Sequence, residues 1–315
     1  MTDTGEAAEA VEALAVEAAG ESGAPAVAPF RFFALDVLRT RRLGHSFLRV
    51  TFGGESLADF RSGGFDQSLS LFLPPAHRDH TVLPDTGEDT WFAAWRGMPD
   101  GERPVMRSYT VRGRRRTAAG VDEVDIDFVL HGDASPASYW AGRAVTGRRI
   151  LAIGPAVAEN KSVRFRPPTG TDAIWMYADE TALPAAAAIL EALPADLPVA
   201  AFLEVPHADD RIALAAPADA RITWIVRDGA GPERTEQVLG VLRPAALPEA
   251  KAPYAWIAGE AGTVRAVRRH LVQERSLDRR AVRFTGYWRL GSSEEQLLAE
   301  AYAGQAPGEE PEAAL

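Results

Sequence analysis

Two arginines bracket a tyrosine and a threonine at residues 107–112, which read RSYTVR. An arginine guanidinium matches phosphate oxygens with its rigid fork of donors. A tyrosine ring can lie against a flat aromatic ligand, and a threonine hydroxyl can meet a ring nitrogen or carbonyl. Together these are the contacts that a flavin nucleotide would need. The same residues also fit a half-buried strand with its polar face in water, so both interpretations stay open.

A second candidate phosphate contact lies in HGDASPASYWA at residues 131–141, which follows a strand-like run and opens a predicted helix. Ser135 is the candidate N-cap, and Pro136 suits the first helical position. The free N–H groups at such a helix start favour a phosphate, and Trp140 could cover an adenine. A capped helix with a buried tryptophan explains the same residues, because most caps bind only their own helix.

A predicted strand meets a predicted helix in YADETALPA at residues 177–185, with Thr181 as the candidate cap. Such a crossover in a parallel sheet is where the pyrophosphate of a nicotinamide dinucleotide should bind. The GxGxxG fingerprint is missing, however, and Asp179 and Glu180 would repel a phosphate that they faced. Glu204 ends the next predicted strand, where an acid commonly binds an adenosine ribose, and this favours NADH over NADPH.

Three arginines follow a Gly-rich turn in AWIAGEAGTVRAVRRHL at residues 255–271. Arg265, Arg268 and Arg269 have i, i+3 and i+4 spacing, which predicts that they share one face of a helix. Such a face could attract an anionic substrate. A solvated charged surface is the alternative.

Two adjacent aromatic residues, Tyr287 and Trp288, lie in the final motif GYWRLG at residues 286–291. Core packing accounts for them without any ligand. Stacking over a flavin is the functional alternative.

The elements that would position these residues change character near Pro155. Residues 30–155 contain short strand-like runs bounded by glycine or proline, and this pattern predicts a small β-barrel. Residues 156–169 have the composition of a linker. From 170 to 291 strands alternate with helices, which predicts an α/β domain with a mostly parallel sheet. Such sheets bind ligands outside the carboxyl ends of their strands.

Three further segments lie outside these predicted strands and helices. Residues 1–29 are predicted to be a disordered acidic tail, and residues 292–315 an acidic C-terminal helix or tail. Within the first unit, the long polar stretch 75–103 carries Trp91 and Trp95, which we expect to pin a surface helix or lid.

Composition excludes several classes of protein. The chain of 315 residues has a formal charge of −10, but removing both acidic tails leaves 32 acids and 34 bases, far from the basic stripe of a nucleic-acid binder. Cysteine is absent, which excludes disulfides, thiolate zinc sites and cysteine-held iron–sulfur clusters. Scattered histidines form no metal motif. Because neither a bilayer-spanning apolar run nor a secretory signal is found, we expect a cytoplasmic protein.

The chain resembles the siderophore-interacting protein family over residues 30–291, in six motifs that occur in order and at compatible spacings: RPVMRSYTVR, DFVLHGDASPASYWA, LAIGP, ADETALPA, WIAGEAGTVRAVRRHL and GYWRLG. Members are flavin-dependent ferric-siderophore reductases of the ferredoxin–NADP reductase-like superfamily. The resemblance implies an antiparallel six-stranded barrel that carries FAD and an α/β domain that takes NADH or NADPH. It also implies that electrons pass through the flavin to a ferric siderophore, which releases ferrous iron.

The resemblance further implies a role for each matching residue. The flavin's phosphate and ring would be bound by Arg107, Ser108, Tyr109 and Thr110, of which Tyr109 and Thr110 position the ring. The other parts of FAD would be bound by His131, Gly132, Ser135, Ala137, Ser138 and Trp140. The nicotinamide dinucleotide would be bound by Asp179, Thr181, Ala182, Gly259 and Glu260. Tyr287 and Trp288 would close the flavin site, and the siderophore would be bound by Arg265, Arg268 and Arg269. No protein metal ligand and no side-chain acid or base is expected.

Two departures from the family's pattern bear on function. Members tend to have Gly-Pro-Ala where this chain has Ser135-Pro136-Ala137, and serine still caps a helix. Many members carry a lysine where this chain has Ser70. If that lysine helps to bind the siderophore, this protein must use other charges or a different chelate.

Two other functions stay open. One is a general flavin reductase that supplies electrons to an oxygenase or redox partner. The other is a non-catalytic siderophore-binding protein, which the missing GxGxxG motif would allow. As partners we expect a ferric siderophore and, as an alternative donor, a ferredoxin, but neither nucleic acid nor a membrane. We also expect a monomer in which Arg112 faces solvent.

Overall fold

A computed structural model describes residues 28–84, 90–132, 135–227, 229 and 233–292. The acidic tail predicted at 1–29 lies outside these ranges except for its last two residues, and the predicted segment 292–315 lies outside them except for Ser292. The described part of the chain contains two sheets, with helices between their strands.

The first sheet is antiparallel and curled, and it has seven strands instead of the predicted six. They are β1 (Phe30–Arg42), β2 (Phe47–Gly53), β3 (Ser68–Leu73), β4 (Val105–Thr110), β5 (Gly113–Arg116), β6 (Asp122–Val129) and β7 (Arg149–Pro155). Their order across the sheet is β4-β3-β7-β1-β2-β6-β5.

The additional strand, β5, begins at Gly113, the last residue of the predicted strand RSYTVRG. β4 pairs with β3, and the chain then crosses to β6, with which β5 pairs. The Arg112 N–H already donates to the Asp125 carbonyl of β6, at 2.9 Å. One continuous segment therefore contacts both edges of the curled sheet, which gives it a barrel-like shape.

Alternation along the strands places the apolar side chains inside this sheet. Phe33, Leu35 and Val37 of β1 are at most 1% exposed and share a core with Phe52 and Phe128. The helix predicted around Trp91 and Trp95 is confirmed as α1 (Trp91–Arg96), and both tryptophans pack against Phe72 of β3. A second helix, α2 (Pro136–Gly142), packs on the main barrel core.

The second sheet is parallel throughout, which confirms the predicted α/β unit. Its strands are β8 (Ala173–Ala178), β9 (Val199–Val205), β10 (Arg221–Val226), β11 (Pro253–Glu260) and β12 (Val282–Trp288), in the order β10-β9-β8-β11-β12. The helices are α3 (Leu183–Ala192), α4 (Arg234–Leu242) and α5 (Ala261–Arg269). Within the described ranges, no helix is long and apolar enough to cross a bilayer.

The two sheets are joined by polar and apolar contacts. Phe47 of β2 is 1% exposed and lies in the core cluster of the parallel sheet. The buried Asp66 carboxylate accepts hydrogen bonds from the backbone of Arg164 and Phe165, both at 2.9 Å, and from Trp256 Nε1 of β11 at 3.2 Å. These contacts fix how β4 faces the carboxyl ends of the parallel strands.

Ion pairs on the outer face of the curled sheet give a testable effect of pH. Arg39 of β1 donates to both carboxylate oxygens of Glu123 on β6, at 2.8 and 2.7 Å. These hydrogen bonds, joined by those from Arg115, lower the pKa of Glu123 from 4.5 to about 2. A carboxyl whose pKa is depressed by folding adds stability above its unfolded pKa, and that stability is lost as the pH falls toward the folded value.

We therefore expect Glu123→Gln to unfold at a lower temperature than the wild type at neutral pH. The difference should shrink as the pH falls from 4.5 toward about 2. Thermal unfolding across this range measures it, with Glu236→Gln, whose side chain is 69% exposed, as the control. A difference that does not change with pH would contradict the assignment.

Candidate functional site

The candidate site is the cleft between β4 and the carboxyl edge of the parallel sheet. The side chains of Thr110, at the end of β4, and Tyr287 of β12 lie close enough to interact. Desolvation lowers the pKa of His131, the positive charge of Arg227 acts in the same direction, and Asp179 opposes both. The loop after β6 therefore faces the charged groups at the ends of β8 and β10.

The barrel wall of the cleft carries the residues of the first motif. Arg107 is half-buried and donates from Nη1 to the Met106 carbonyl, at 2.8 Å, while Ser108 is exposed. The Tyr109 ring packs against Phe128 with centroids 4.5 Å apart. One strand thus presents a guanidinium, two hydroxyls and an aromatic edge.

Arg112 does not face solvent as the sequence predicts. Its side chain is 15% exposed, and Nη1 donates to Glu191 Oε2 of α3, at 2.8 Å. Arg112 therefore links the curled sheet to the α/β unit, because the chain turns toward β6 directly after β4.

The helix after β6 begins with the predicted N-cap residue. Ser135 is the N-cap of α2, its Oγ accepts from Ser138 N at 3.5 Å, and a proline opens the helix. The hydroxyl of Ser138 in turn accepts from His131 N, at 3.0 Å. Gly132 has φ +79°, and nothing lies within 4 Å of the place where its Cβ would be.

Ala137 and Trp140 of α2 lie on the side of the helix that faces the barrel core. Ala137 is 6% exposed and Trp140 is 4% exposed. The Trp140 ring stacks on Phe52 at 6.1 Å between centroids, and Phe128 lies 5.7 Å away. The indole of Trp140 therefore presents almost no surface on which an adenine could stack.

Asp179 is the centre of hydrogen bonding at the carboxyl edge of the sheet and is 0% exposed. Its Oδ1 accepts from Thr181 N at 2.9 Å, from Thr181 Oγ1 at 2.6 Å and from Ala182 N at 3.3 Å. Its Oδ2 accepts from Glu260 N and Trp288 Nε1, both at 2.8 Å, and from Arg234 Nη2 at 3.0 Å. Six donors from four separate segments therefore converge on one carboxylate.

These contacts revise two predictions. Thr181 is not the N-cap of α3, because the cap position belongs to the fully buried Ala182 and the Thr181 hydroxyl donates to Asp179. Nor would Asp179 or Glu180 repel a phosphate from the surface, because they are 0% and 2% exposed and face arginines.

Glu204, expected to bind a ribose, is also buried and paired. It is 0% exposed and accepts from Arg227 Nη1 at 2.9 Å, from Arg234 Nε at 2.7 Å and from the Tyr177 hydroxyl. A carboxylate so enclosed cannot reach a ribose at the surface. The reason for preferring NADH over NADPH is therefore lost.

Arg227 and Arg234 are not among the residues predicted from the sequence. Arg227 directly follows β10 and holds Glu180 through two hydrogen bonds of 2.6 Å, while Arg234 opens α4. Burial raises the pKa of Glu180, the charge of Asp179 adds to this, and the two arginines oppose it. A signal existed in the sequence, since arginines near the end of one predicted strand face acids that end its neighbours.

Gly259 and Glu260 end β11 beside this cluster. Gly259 has φ +145°, and a Cβ there would lie 2.6 Å from Asp179 Cγ. Glu260 is the N-cap of α5 and accepts from Thr263 N at 2.7 Å. Both residues therefore lie at the predicted edge, but the Glu260 carboxylate is already used by its own helix.

The two aromatic residues of the last motif connect the sheets. Burial raises the pKa of Tyr287, whose hydroxyl meets Thr110 of the barrel. Trp288 is half-buried, donates to Asp179, and has the Arg234 guanidinium 5.1 Å from its ring centroid. Adjacent residues of β12 are thus held by opposite walls of the cleft.

The three arginines of α5 lie along a helix that leads away from the carboxyl edge. Arg265 and Arg269 are exposed, and Arg268 lies 4.3 Å from the ring centroid of Phe284. The helix begins at the carboxyl edge and runs away from it, so Arg269 lies about 12 Å from its start. The spacing correctly predicts a helix, and the direction of this helix places Arg269 farthest from the carboxyl edge.

The residues of the cleft fit an FAD molecule by their chemistry. Arg107 offers a phosphate partner, Ser108 and Thr110 offer hydroxyls, and the Cβ position of Gly132 is unobstructed. Tyr287 supplies an aromatic side for a flat ring. Among the described residues, no cluster of three or more histidine, aspartate or glutamate side chains could hold a metal ion.

Comparison with known proteins decides the family. The model of the siderophore-interacting FAD-binding domain matches residues 36–159, and that of the siderophore-interacting protein matches residues 171–291. Ferric vibriobactin reductase ViuB of Vibrio cholerae is 33% identical over 265 residues, which cover 83% of this chain and 90% of the relative. The chain belongs to the siderophore-interacting protein family. Its curled sheet is therefore the FAD-binding domain of that family.

Further relatives and solved structures support the same family and fold. The NADPH-dependent ferric-chelate reductase of Escherichia coli is 31% identical over 82% of this chain and 93% of the relative. A siderophore utilization protein from T. fusca has a TM-score of 0.70 and 36% identity over 84% of this chain and 95% of its own. A ferredoxin reductase of carbazole 1,9a-dioxygenase has a TM-score of 0.55 at 18% identity over 84% of this chain and 71% of its own. The predicted ferredoxin-reductase-like fold is confirmed.

Proposed function

We propose that this protein is an FAD-containing reductase that uses NADH or NADPH to reduce a ferric siderophore and release ferrous iron. The observation that carries the proposal is the position of β4, whose last residue, Thr110, interacts with Tyr287 at the end of β12, so that the strand with Arg107 and Ser108 lies beside the carboxyl edge of the parallel sheet. The relatives named as ferric vibriobactin reductase and NADPH-dependent ferric-chelate reductase support the same chemistry.

The protein's part in the reaction is to bind and to orient. FAD supplies the chemistry when bound, since it takes up a hydride and returns electrons one at a time. Arg107 would bind a phosphate, Thr110 would hydrogen-bond to the ring edge, and Tyr287 and Trp288 would exclude water from the nicotinamide side. One NAD(P)H carries two electrons, so each turnover reduces two ferric ions and releases one proton. Ferrous iron leaves because hard oxygen chelators hold it less well.

The same proposal covers the remaining roles and boundaries. His131, Gly132, Ser135 and Ser138 would line the rest of the FAD site, while Ala137 and Trp140 support it from the core. Thr181, Ala182, Gly259 and Glu260 would lie beside the nicotinamide dinucleotide. We further propose domain boundaries at 30–155, 156–169 and 170–291, a cytosolic location and a monomeric state.

An anaerobic assay with a chromogenic ferrous trap tests the function. FAD-loaded protein is mixed with NADH or NADPH and a ferric siderophore, and the coloured ferrous complex is followed. We expect colour with at least one nucleotide and faster turnover on ferric siderophore than on free flavin or a ferredoxin. Faster turnover on free flavin would identify a general flavin reductase. A protein that binds the siderophore but gives no colour with either nucleotide would be a binder only.

A further inference from the structure

The side chain at the centre of the nucleotide edge is an acid where dinucleotide-binding folds usually place a bound phosphate. In those folds the N–H groups at the strand-to-helix turn point at a pyrophosphate. Here the N–H groups of Thr181 and Ala182 point at the carboxylate of Asp179, at 2.9 and 3.3 Å. The chain lacks the GxGxxG motif that would bind a pyrophosphate at this turn. In its place, the Asp179 carboxylate is an anion supplied by the protein itself.

The donors to this carboxylate do not come from one helix end alone. Arg234 reaches it from α4, the Glu260 N–H from the end of β11, and the Trp288 indole N–H from β12. Arg234 also lies over the Trp288 ring, 5.1 Å from its centroid. The indole is thus fixed at its edge by Asp179 and on its face by the arginine that Asp179 holds.

The charge balance of the cluster is consistent with this arrangement. Three buried carboxylates, from Asp179, Glu180 and Glu204, face two guanidinium groups, from Arg227 and Arg234. Glu180 and Glu204 alone would balance the two arginines. The carboxylate of Asp179 is therefore not needed for neutrality, and its distinct contacts are the helix start, the β11 turn and Trp288.

We propose that Asp179 is a positioning residue that holds the Trp288 indole at the nucleotide edge, and that its carboxylate takes the place of a bound phosphate there. This proposal rests on the proposed function for the meaning of the edge, but the arrangement itself can be tested without turnover. A dinucleotide would then bind beside the turn instead of on its N–H groups. Its orientation would depend on the fixed face of Trp288.

Chemical rescue by formate tests the proposal in the FAD-loaded protein. Asp179→Ala removes the carboxylate and leaves a space lined by Arg234 and N–H donors, which formate can fill. We expect this variant to unfold about 10 °C below the wild type. Added formate should recover at least half of that loss, relative to chloride at the same ionic strength.

Two controls separate this effect from general stabilisation by salts. Asp179→Asn also removes the charge but fills the space, so formate should not rescue it. Asp66→Ala opens a space lined by the backbone N–H groups of Arg164 and Phe165 and by the Trp256 indole, and formate should rescue it less than Asp179→Ala. Equal rescue of all three variants, or no rescue of Asp179→Ala, would overturn the proposal.

The fluorescence of Trp288 gives a readout that a merely structural role would not move. The contribution of Trp288 is the difference between each protein and the same protein with Trp288→Phe. We expect that difference spectrum to shift in Asp179→Ala and to return with formate. An unchanged difference spectrum would show that Asp179 does not position the indole.

The kinetic arm distinguishes failure of this inference from failure of the proposed function. If the wild type oxidises NADH or NADPH, Asp179→Ala should lower kcat/KM for the nucleotide about tenfold, with formate restoring part of it. Unchanged kcat/KM beside normal wild-type activity would refute the positioning role. Absence of nucleotide oxidation by the wild type, with formate rescue intact, would refute the proposed function and leave the built-in anion standing.

Discussion

Arg107→Ala is expected to bind FAD about 10- to 100-fold more weakly than the wild type, because a charge-assisted hydrogen bond contributes about 1.5–3 kcal/mol. Arg107 lies on β4 beside Ser108, is half-buried, and has its guanidinium held by the Met106 carbonyl at 2.8 Å. Titrating the apoprotein with FAD and following flavin fluorescence measures the affinity.

The matched control for Arg107 is an arginine on another strand of the same sheet. Arg41 of β1 is exposed and pairs in register with Arg49. Arg41→Ala should leave the FAD affinity within about twofold of the wild type, as surface substitutions away from a site usually do. An equal loss of affinity in both variants would mean that the general charge of the sheet, and not a contact from Arg107, binds the cofactor.

Gly259→Ala is expected to destabilise the fold by about 3–5 kcal/mol, comparable to breaking a buried ion pair. Gly259 has φ +145°, which side chains rarely adopt, and its Cβ would lie 2.6 Å from the carboxyl carbon of Asp179. Either the β11 turn or Asp179 must move, and the hydrogen bonds to Glu260 N and Trp288 Nε1 would lengthen with it. Thermal and denaturant unfolding measure the loss.

Gly240→Ala is the matched control, because the same substitution is expected to stabilise the fold there. Gly240 lies in the exposed part of α4, and nothing is within 4 Å of its Cβ position. Alanine favours the interior of a helix by about 1 kcal/mol over glycine, so this variant should be more stable than the wild type. If Gly259→Ala were as stable as Gly240→Ala, the close approach of Asp179 to β11 would be wrong.

The sequence predicts the strands and helices well because their signals are local. Each run such as SLSLFLP or PVAAFLEV has apolar residues at strand spacing and ends at glycine, proline or a polar turn, and each forms a strand in the structure. The end of β4 at Thr110 and the start of β5 at Gly113 are not set locally. They depend on the neighbours with which the chain pairs, β3 before the break and β6 after it, and the sequence of one strand gives no sign of that.

The sequence motif identifies the candidate site residues of the curled sheet. For the buried charged cluster, the sequence identifies the acids but not their arginine partners. The acids Asp179, Glu180 and Glu204 stand out at strand ends, but their partners are distant in sequence. Arg234 is 55 residues from Asp179, and Trp288 is 109 residues away. Exposure follows from these pairings, so the sequence suggests surface acids where the structure has buried ones.

The basic face of α5 shows a different limit. Helical spacing predicts that Arg265, Arg268 and Arg269 share one face; Arg265 and Arg269 are exposed, whereas Arg268 is half-buried against Phe284. The position of that side relative to the cleft depends on the direction of the helix, which returns from the carboxyl edge of the sheet as connections in parallel sheets do. The prediction that Arg265, Arg268 and Arg269 bind the siderophore therefore stays a prediction, and Ser70 in place of a lysine supplies no charge.

The visible absorption spectrum during anaerobic titration tests the central claim most directly. FAD-loaded protein is titrated with NADH or NADPH until the flavin is reduced, and ferric siderophore is then added with a ferrous trap. The account predicts bleaching of the flavin bands by at least one nucleotide, their return on addition of ferric siderophore, and two ferrous ions trapped per flavin reoxidised. A flavin that neither nucleotide bleaches, or a reduced flavin that ferric siderophore does not reoxidise, would contradict it.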